Sequence, residues 1–250
     1  MRPEVEHVPI PAATLIVMRE GRDAPELLMI ERGSSLRFAA GATVFPGGRI
    51  EPEDVALASG SPDAAARIGA IRETLEETGL AIGLDPRPPG DSSIASLREA
   101  LFAGTPFASA LAVRGIGISI EALVPFARWC PRGIQKRPFD THFFLARAPA
   151  GQPAASLDNG EVARIFWASA TELIASADAG HTKLIYPTRR NLERLAQFDG
   201  FDKAAEAASA HPIETIAPWV EQRAGAPHLC IPEGLGYPIT AERLDRAVLG

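Results

Sequence analysis

Residues 61–80 read SPDAAARIGAIRETLEETGL, a stretch that specifies one helix with two unlike sides. Ser61 is a capping hydroxyl, Pro62 suits the first turn, and Asp63 puts a negative charge at the positive end. Gly79 supplies the stop. With Glu73 set at zero and about 100° per residue, Glu77 falls at about 40° and Glu76 at about 300°, while Ala64, Ile68, Ile71 and Leu75 fall at about 160–220°. The apolar stripe packs on a sheet, and the opposite stripe carries three carboxylates. Like charges at i,i+4 cost a helix roughly 0.2–0.5 kcal/mol per pair, and two of these acids sit near its negative end. Helix propensity does not account for that placement. A divalent cation does, because hard oxygen ligands at i, i+3 and i+4 converge on one ion. Taken alone, Glu-x-x-Glu-Glu is more often a solvated acidic face, so the surrounding residues decide.

Upstream, residues 13–18 and 26–31 read as paired strands, and 43–45 as a short strand ended by Pro46-Gly47-Gly48. The stretch from Gly48 to Ser61 reads as polar loop. Downstream, 83–93 is loop, 94–103 and 107–112 are helical, and 115–129 is ambiguous between short helix and strand. Strands are expected over 139–147 and 161–168, with helices over 170–178 (capped by Ser169), 188–197 and 202–210. Residues 211–250 are proline-rich, and Ile231 to Pro238 reads as either a lid or packing. Strands and helices mix without a regular βαβ beat and without internal repeats, which places the chain in the α/β (α+β) class with a mixed sheet.

The residues around the acids resemble the Nudix hydrolase box, Gly-x5-Glu-x7-Arg-Glu-apolar-x-Glu-Glu-x-Gly-apolar. Here Gly48, Arg72-Glu73, Glu76-Glu77, Gly79 and Leu80 match it. Asp54 stands where the first glutamate is expected, ten extra residues separate it from Arg72, and Thr74 takes an apolar position. The insertion precedes the cap at Ser61, so it can loop out while the ligands keep their spacing. It leaves Glu51, Glu53 and Asp54 without an assigned role. The resemblance implies an α/β/α sandwich around a mixed sheet, one domain with its core at about 8–200, a box insertion at about 53–62 and an extension at about 200–250. It implies water attack on a nucleoside diphosphate linked to another moiety, with Mg2+ or Mn2+ as cofactor. Glu73 and Glu77 would be metal ligands, and Glu76 a ligand or the group that orients water. Arg72 would hold the carboxylates. The carbonyl of Gly47 and a further acid, for which Glu161 is the candidate, would complete the site.

A second pattern, Leu28 to Arg32, Gly33, Arg37, Gly41 and Phe45-Pro46-Gly47-Gly48, is similar to the extended signature of coenzyme A diphosphatases within that family. Ile30 stands where the signature has threonine, and Gly33 where it has serine or alanine. Arginine forks suit phosphate oxygens, so Arg32 and Arg37 are the expected substrate-binding residues. The box insertion, Arg137 to Phe144 and Tyr186-Pro187-Thr188 also resemble this insertion-bearing subgroup. Coenzyme A or its acyl derivatives are therefore the first expected substrates. ADP-ribose or a nucleotide sugar is the second, and a non-catalytic ligand sensor is the rival from another class.

The remaining chain narrows the partners. A formal net charge of −6 disfavours a nucleic-acid binder, which needs basic excess. Cys130 and Cys230 have neither disulfide-framework nor zinc spacing. No secretory pattern or span of about 20 apolar residues appears, so a cytoplasmic location without membrane contact is expected. A homodimer is possible. His142 reads as a sheet histidine, His181 and Lys183 as loop surface, and Trp129, Trp167 and Trp219 as packing.

Overall fold

Strand β1 (Ile10–Arg19) sets the layers by its alternation. Ala13, Leu15 and Val17 are buried on one face of the sheet and Ile16 and Met18 on the other. The computed structural model describes residues 8–33, 39–134, 138–149 and 162–249. Strand β2 (Glu26–Arg32) runs antiparallel to β1 but pairs with it only at Met18–Leu27 and Arg19–Glu26. Beyond that point the strands part. β2 takes up β3 (Thr43–Val44), while Ala12–Thr14 of β1 pair with β4 (Gly47–Arg49).

Helix α1 (Pro52–Leu57) and helix α2 (Pro62–Thr78) follow. Both ends of α2 are as the sequence implies: Ser61 Oγ accepts from the Ala64 N–H, and Gly79 is left-handed at φ 74°. The short strand β5 (Leu84–Asp85) leads to α3 (Gly90–Phe102) and α4 (Phe107–Ala112). Arg98 of α3 donates to the Glu76 carbonyl, placing a cation at the negative end of α2. Next come β6 (Gly117–Ile118), a 3-10 turn over Ile120–Ala122, and strands β7 (Val124–Trp129) and β8 (Phe139–Arg147). β8 lies parallel to β1 and antiparallel to β7. Strand β9 (Val162–Ser169) pairs antiparallel beside β2 in the same sheet, and helices α5 (Ala170–Asp178), α6 (Tyr186–Leu195) and α7 (Phe201–Ser209) follow. β10 (Thr215–Ile216) adds to β7, and β11 (Trp219–Arg223), β12 (Ala226–Cys230) and β13 (Ala241–Arg243) form a separate antiparallel sheet.

The large sheet is therefore mixed and sandwiched, as expected. Ile68, Ile71 and Leu75 of α2 pack against Leu15, Val17 and Phe144 on one face. Leu192 and Leu195 of α6, with Ala204 and Ala208 of α7, cover Met29 and Leu145 on the other. Each fully buried Leu, Ile or Val contributes about 1.5–3 kcal/mol relative to exposure.

Some expectations need correction, among them the 83–93 loop, which holds β5 and the first turn of α3. Gly48 to Ser61 is not plain loop: it completes β4 and forms α1, whose Asp54 accepts from the Glu51 N–H at 2.8 Å. Elements of three and six residues are too short to show a period. Helix α6 begins at Tyr186, not Thr188, because Pro187 occupies its first turn. Of the two readings of 231–238, the packing one fits: Ile231, Leu235 and Tyr237 are buried in the second core.

Candidate active site

The centre of the site is a buried ion pair. Arg72, 4% exposed, donates from Nε to Asp54 Oδ1 (3.0 Å) and from Nη2 to Asp54 Oδ2 (2.8 Å), and Asp54 is fully buried. This bidentate fork gives Asp54 a definite place despite the ten-residue insertion. Arg72 also donates to the Arg49 carbonyl (2.9 Å), Glu73 Oε1 (3.0 Å) and Glu76 Oε1 (3.4 Å). Burial opposes its charge, but the hydrogen bond to Asp54 and the nearby carboxylates outweigh that and raise its pKa. Arg72 thus ties α1, β4 and α2 together. Thr74, polar at an apolar position, is buried and satisfies its hydroxyl on the Ala70 carbonyl (2.7 Å).

The double glycine lets β4 approach α2. A Cβ on Gly48 would stand 2.5 Å from the Glu73 carboxyl carbon, so a side chain there would push that carboxylate from its present place. The Gly47 N–H donates to Glu77 Oε2 at 2.8 Å. Glu73 and Glu77 both line a cavity of about 550 Å³, together with Gly47 and Gly48.

The three acids do not form one cage. Among the described residues, no group of three acidic, histidine or cysteine side chains is arranged to hold an ion. Glu76 is drawn to Arg72 and does not line the cavity. The donors that remain are two carboxylates, Glu73 and Glu77. That set fits a hard divalent cation held by one or two carboxylates and completed by water and phosphate oxygens. Such a cation would polarise phosphorus and acidify bound water.

Burial pushes the Glu73 carboxyl up to about 7, with Glu76 adding to the push and Arg72 opposing it; burial also raises Glu76. Because the folded pKa of Glu73 lies above its unfolded value of about 4.5, its contribution to stability is complete below that value. The contribution is lost as pH rises through about 7. Chelator-treated protein is therefore expected to melt lower at pH 8 than at pH 5.5, and added Mg2+ or Mn2+ to raise Tm more at pH 8. Thermal denaturation across pH, with and without metal, checks this.

Arg32 reaches the same cavity from β2, and its buried Nε has no hydrogen-bond partner among the described residues. Arg49, which sequence reasoning passed over, lines the cavity with an exposed side chain. Its signal was its position directly after the double glycine. Arg37 and Glu161 lie outside the described residues. Lys183 pairs through its backbone with Ala42 and Thr43, and neither it nor His181 lines the cavity. His142 stacks on Phe144, also outside the cavity lining. Trp129 is buried as expected, yet it also lines the cavity. No helix among the described residues is long and apolar enough to cross a membrane.

No family model matches the chain. A Nudix hydrolase from Alicyclobacillus acidocaldarius superposes with a TM-score of 0.73 at 28% identity, covering 82% of this chain and 99% of that one. An acyl-coenzyme A diphosphatase of Gallus gallus, NUDT19, is 26% identical over 88% of this chain and 76% of its own length. A nudix hydrolase of Caenorhabditis elegans is 26% identical over 76% of this chain, which spans 64% of that protein's length. In sequence and in fold the chain is similar to Nudix hydrolases.

Proposed function

From the premise that this chain is a Nudix-type hydrolase, we propose that it cleaves the diphosphate of coenzyme A or acyl-coenzyme A with Mg2+ or Mn2+. Water adds to one phosphorus, the bridging P–O bond breaks, and 3′,5′-ADP and (acyl-)4′-phosphopantetheine leave. Glu73 and Glu77 hold the cation. Arg72 and Glu76, locked to each other, position those two carboxylates. Arg49 stands beside them as a cation for the diphosphate oxygens.

The observation that carries the choice of substrate is Arg32. Its buried Nε–H has no acceptor among the described residues, and a buried donor costs free energy until an acceptor is supplied. Arg32 lies on the cavity shared with Glu73 and Glu77, and coenzyme A carries a 3′-phosphate besides its diphosphate. The relatives named acyl-coenzyme A diphosphatases support the same reading.

A panel of diphosphates with Mg2+, read by phosphate release after phosphatase coupling, tests it. ADP-ribose turning over far faster than coenzyme A would contradict it. Arg32→Ala is expected to raise KM for coenzyme A roughly 10- to 100-fold, the worth of a charge-assisted hydrogen bond. The same variant should leave KM for dephospho-coenzyme A essentially at the wild-type value, because that substrate lacks the 3′-phosphate and loses no charge-assisted hydrogen bond.

A further inference from the structure

The cavity extends well past the carboxylates, and its floor is a strip of the large sheet. Arg49 of β4 lies opposite Ala12 of β1, Ala12 opposite Thr141 of β8, and Thr141 opposite Trp129 of β7. Directly opposed residues share a face, and all four of these line the cavity. Three strand spacings, about 14 Å, separate β4 from β7.

The chemistry changes along the strip. At β4 stand Arg49 and the α2 carboxylates. In the middle, Thr14, Thr141 and Thr188 line the cavity, and their hydroxyls have no hydrogen-bond partner among the described residues. Beyond Thr141, Pro131 and Phe139, each two residues along the chain from the paired Trp129 and Thr141, line the cavity with Trp129 as an apolar wall, and Ile185 and Pro187 line it too. A ligand with its diphosphate at the carboxylates fills this strip only with an uncharged arm about 14 Å long. That arm needs hydrogen-bonding groups partway along and an apolar end. An amide-linked pantetheine arm has this order. The nucleoside half does not: it would bring a sugar phosphate toward apolar surface, a costly burial of charge.

The wall is fixed from behind. Trp129 Nε1 donates to Tyr237 Oη (3.1 Å), which donates to Asn191 Oδ1 (2.8 Å). The Tyr237 ring meets the indole edge-on at 5.8 Å. Tyr237 comes from the segment that follows the sandwich, beyond β12.

We propose that the strip from β4 across β1 and β8 to Trp129 holds the pantetheine arm of the substrate, and that Tyr237 is the positioning residue for its apolar end. This rests on the coenzyme A reading above. Isothermal titration of wild type, Thr141→Val and Tyr237→Phe with 4′-phosphopantetheine and, separately, with 3′,5′-ADP tests it. Thr141→Val is expected to bind 4′-phosphopantetheine about fivefold more weakly, the worth of one hydrogen bond, Tyr237→Phe to bind it more weakly because Trp129 loses its anchor, and both to bind 3′,5′-ADP as wild type does. The Thr141 hydroxyl has no hydrogen-bond partner to lose among the described residues, so its variant keeps the test valid if Tyr237→Phe fails to fold. Unchanged 4′-phosphopantetheine affinity in Thr141→Val, or equal weakening of 3′,5′-ADP, overturns the inference. If that happens while wild type cleaves coenzyme A, only the placement of the arm falls. If wild type binds neither product and cleaves no coenzyme A, the coenzyme A reading falls and takes the inference with it.

Discussion

Glu77→Gln is expected to lower kcat for diphosphate hydrolysis by about 10³-fold or more while shifting Tm by only a few degrees. The amide keeps the shape of the side chain and still offers an oxygen to the Gly47 N–H, which now donates to Glu77 Oε2 at 2.8 Å. What it loses is the charge that holds a hard cation. Charge stabilisation by such an ion is worth several kcal/mol at the transition state, and each 1.36 kcal/mol is a factor of about ten in rate. Steady-state kinetics and thermal denaturation on the same preparation check both halves. A wild-type protein without turnover, and a ligand response unchanged in the variant, would favour a sensor over an enzyme.

Asp54→Ala is expected to cost about 3–5 kcal/mol of folding stability, the usual effect of removing one partner from a buried pair. For a chain of this size that lowers Tm by about 10 °C. The penalty arises because Arg72 stays 4% exposed with its Nε and Nη2 deprived of the fork they now use. Activity should fall as well, since the same guanidinium orients Glu73. Urea or thermal unfolding measures the loss, and a change below about 1 kcal/mol, the range of an exposed pair, would mean that the ion pair does not frame the site.

These two residues mark how far sequence reasoning reached. Helix α2 was legible from cap to stop because its signals are local: a hydroxyl, a proline, an apolar stripe and a glycine. The mixed sheet was legible from strands and helices that follow one another without a regular βαβ beat, and the α/β/α sandwich from the resemblance to the Nudix box. Asp54 was not, because its partner lies eighteen positions away across an insertion and only the fold of α1 brings them together. A helical wheel places Glu76 beside Glu73 and Glu77, but it takes no account of Arg72 drawing the Glu76 side chain away from the cavity. The cavity itself depends on β1 leaving β2 for β4, a change of partner that alternation does not encode. Tyr237 meets Trp129 across 108 positions with no local pattern to announce it.

The claim on which the rest depends is that the carboxylates of α2 work through a divalent cation. Coenzyme A hydrolysis assayed first in excess chelator and then with Mg2+ or Mn2+ restored tests it most directly. The account predicts that cleavage stops in chelator and returns in full with the metal for wild type but not for Glu77→Gln. Undiminished cleavage in chelator, or full restoration in the variant, would contradict it.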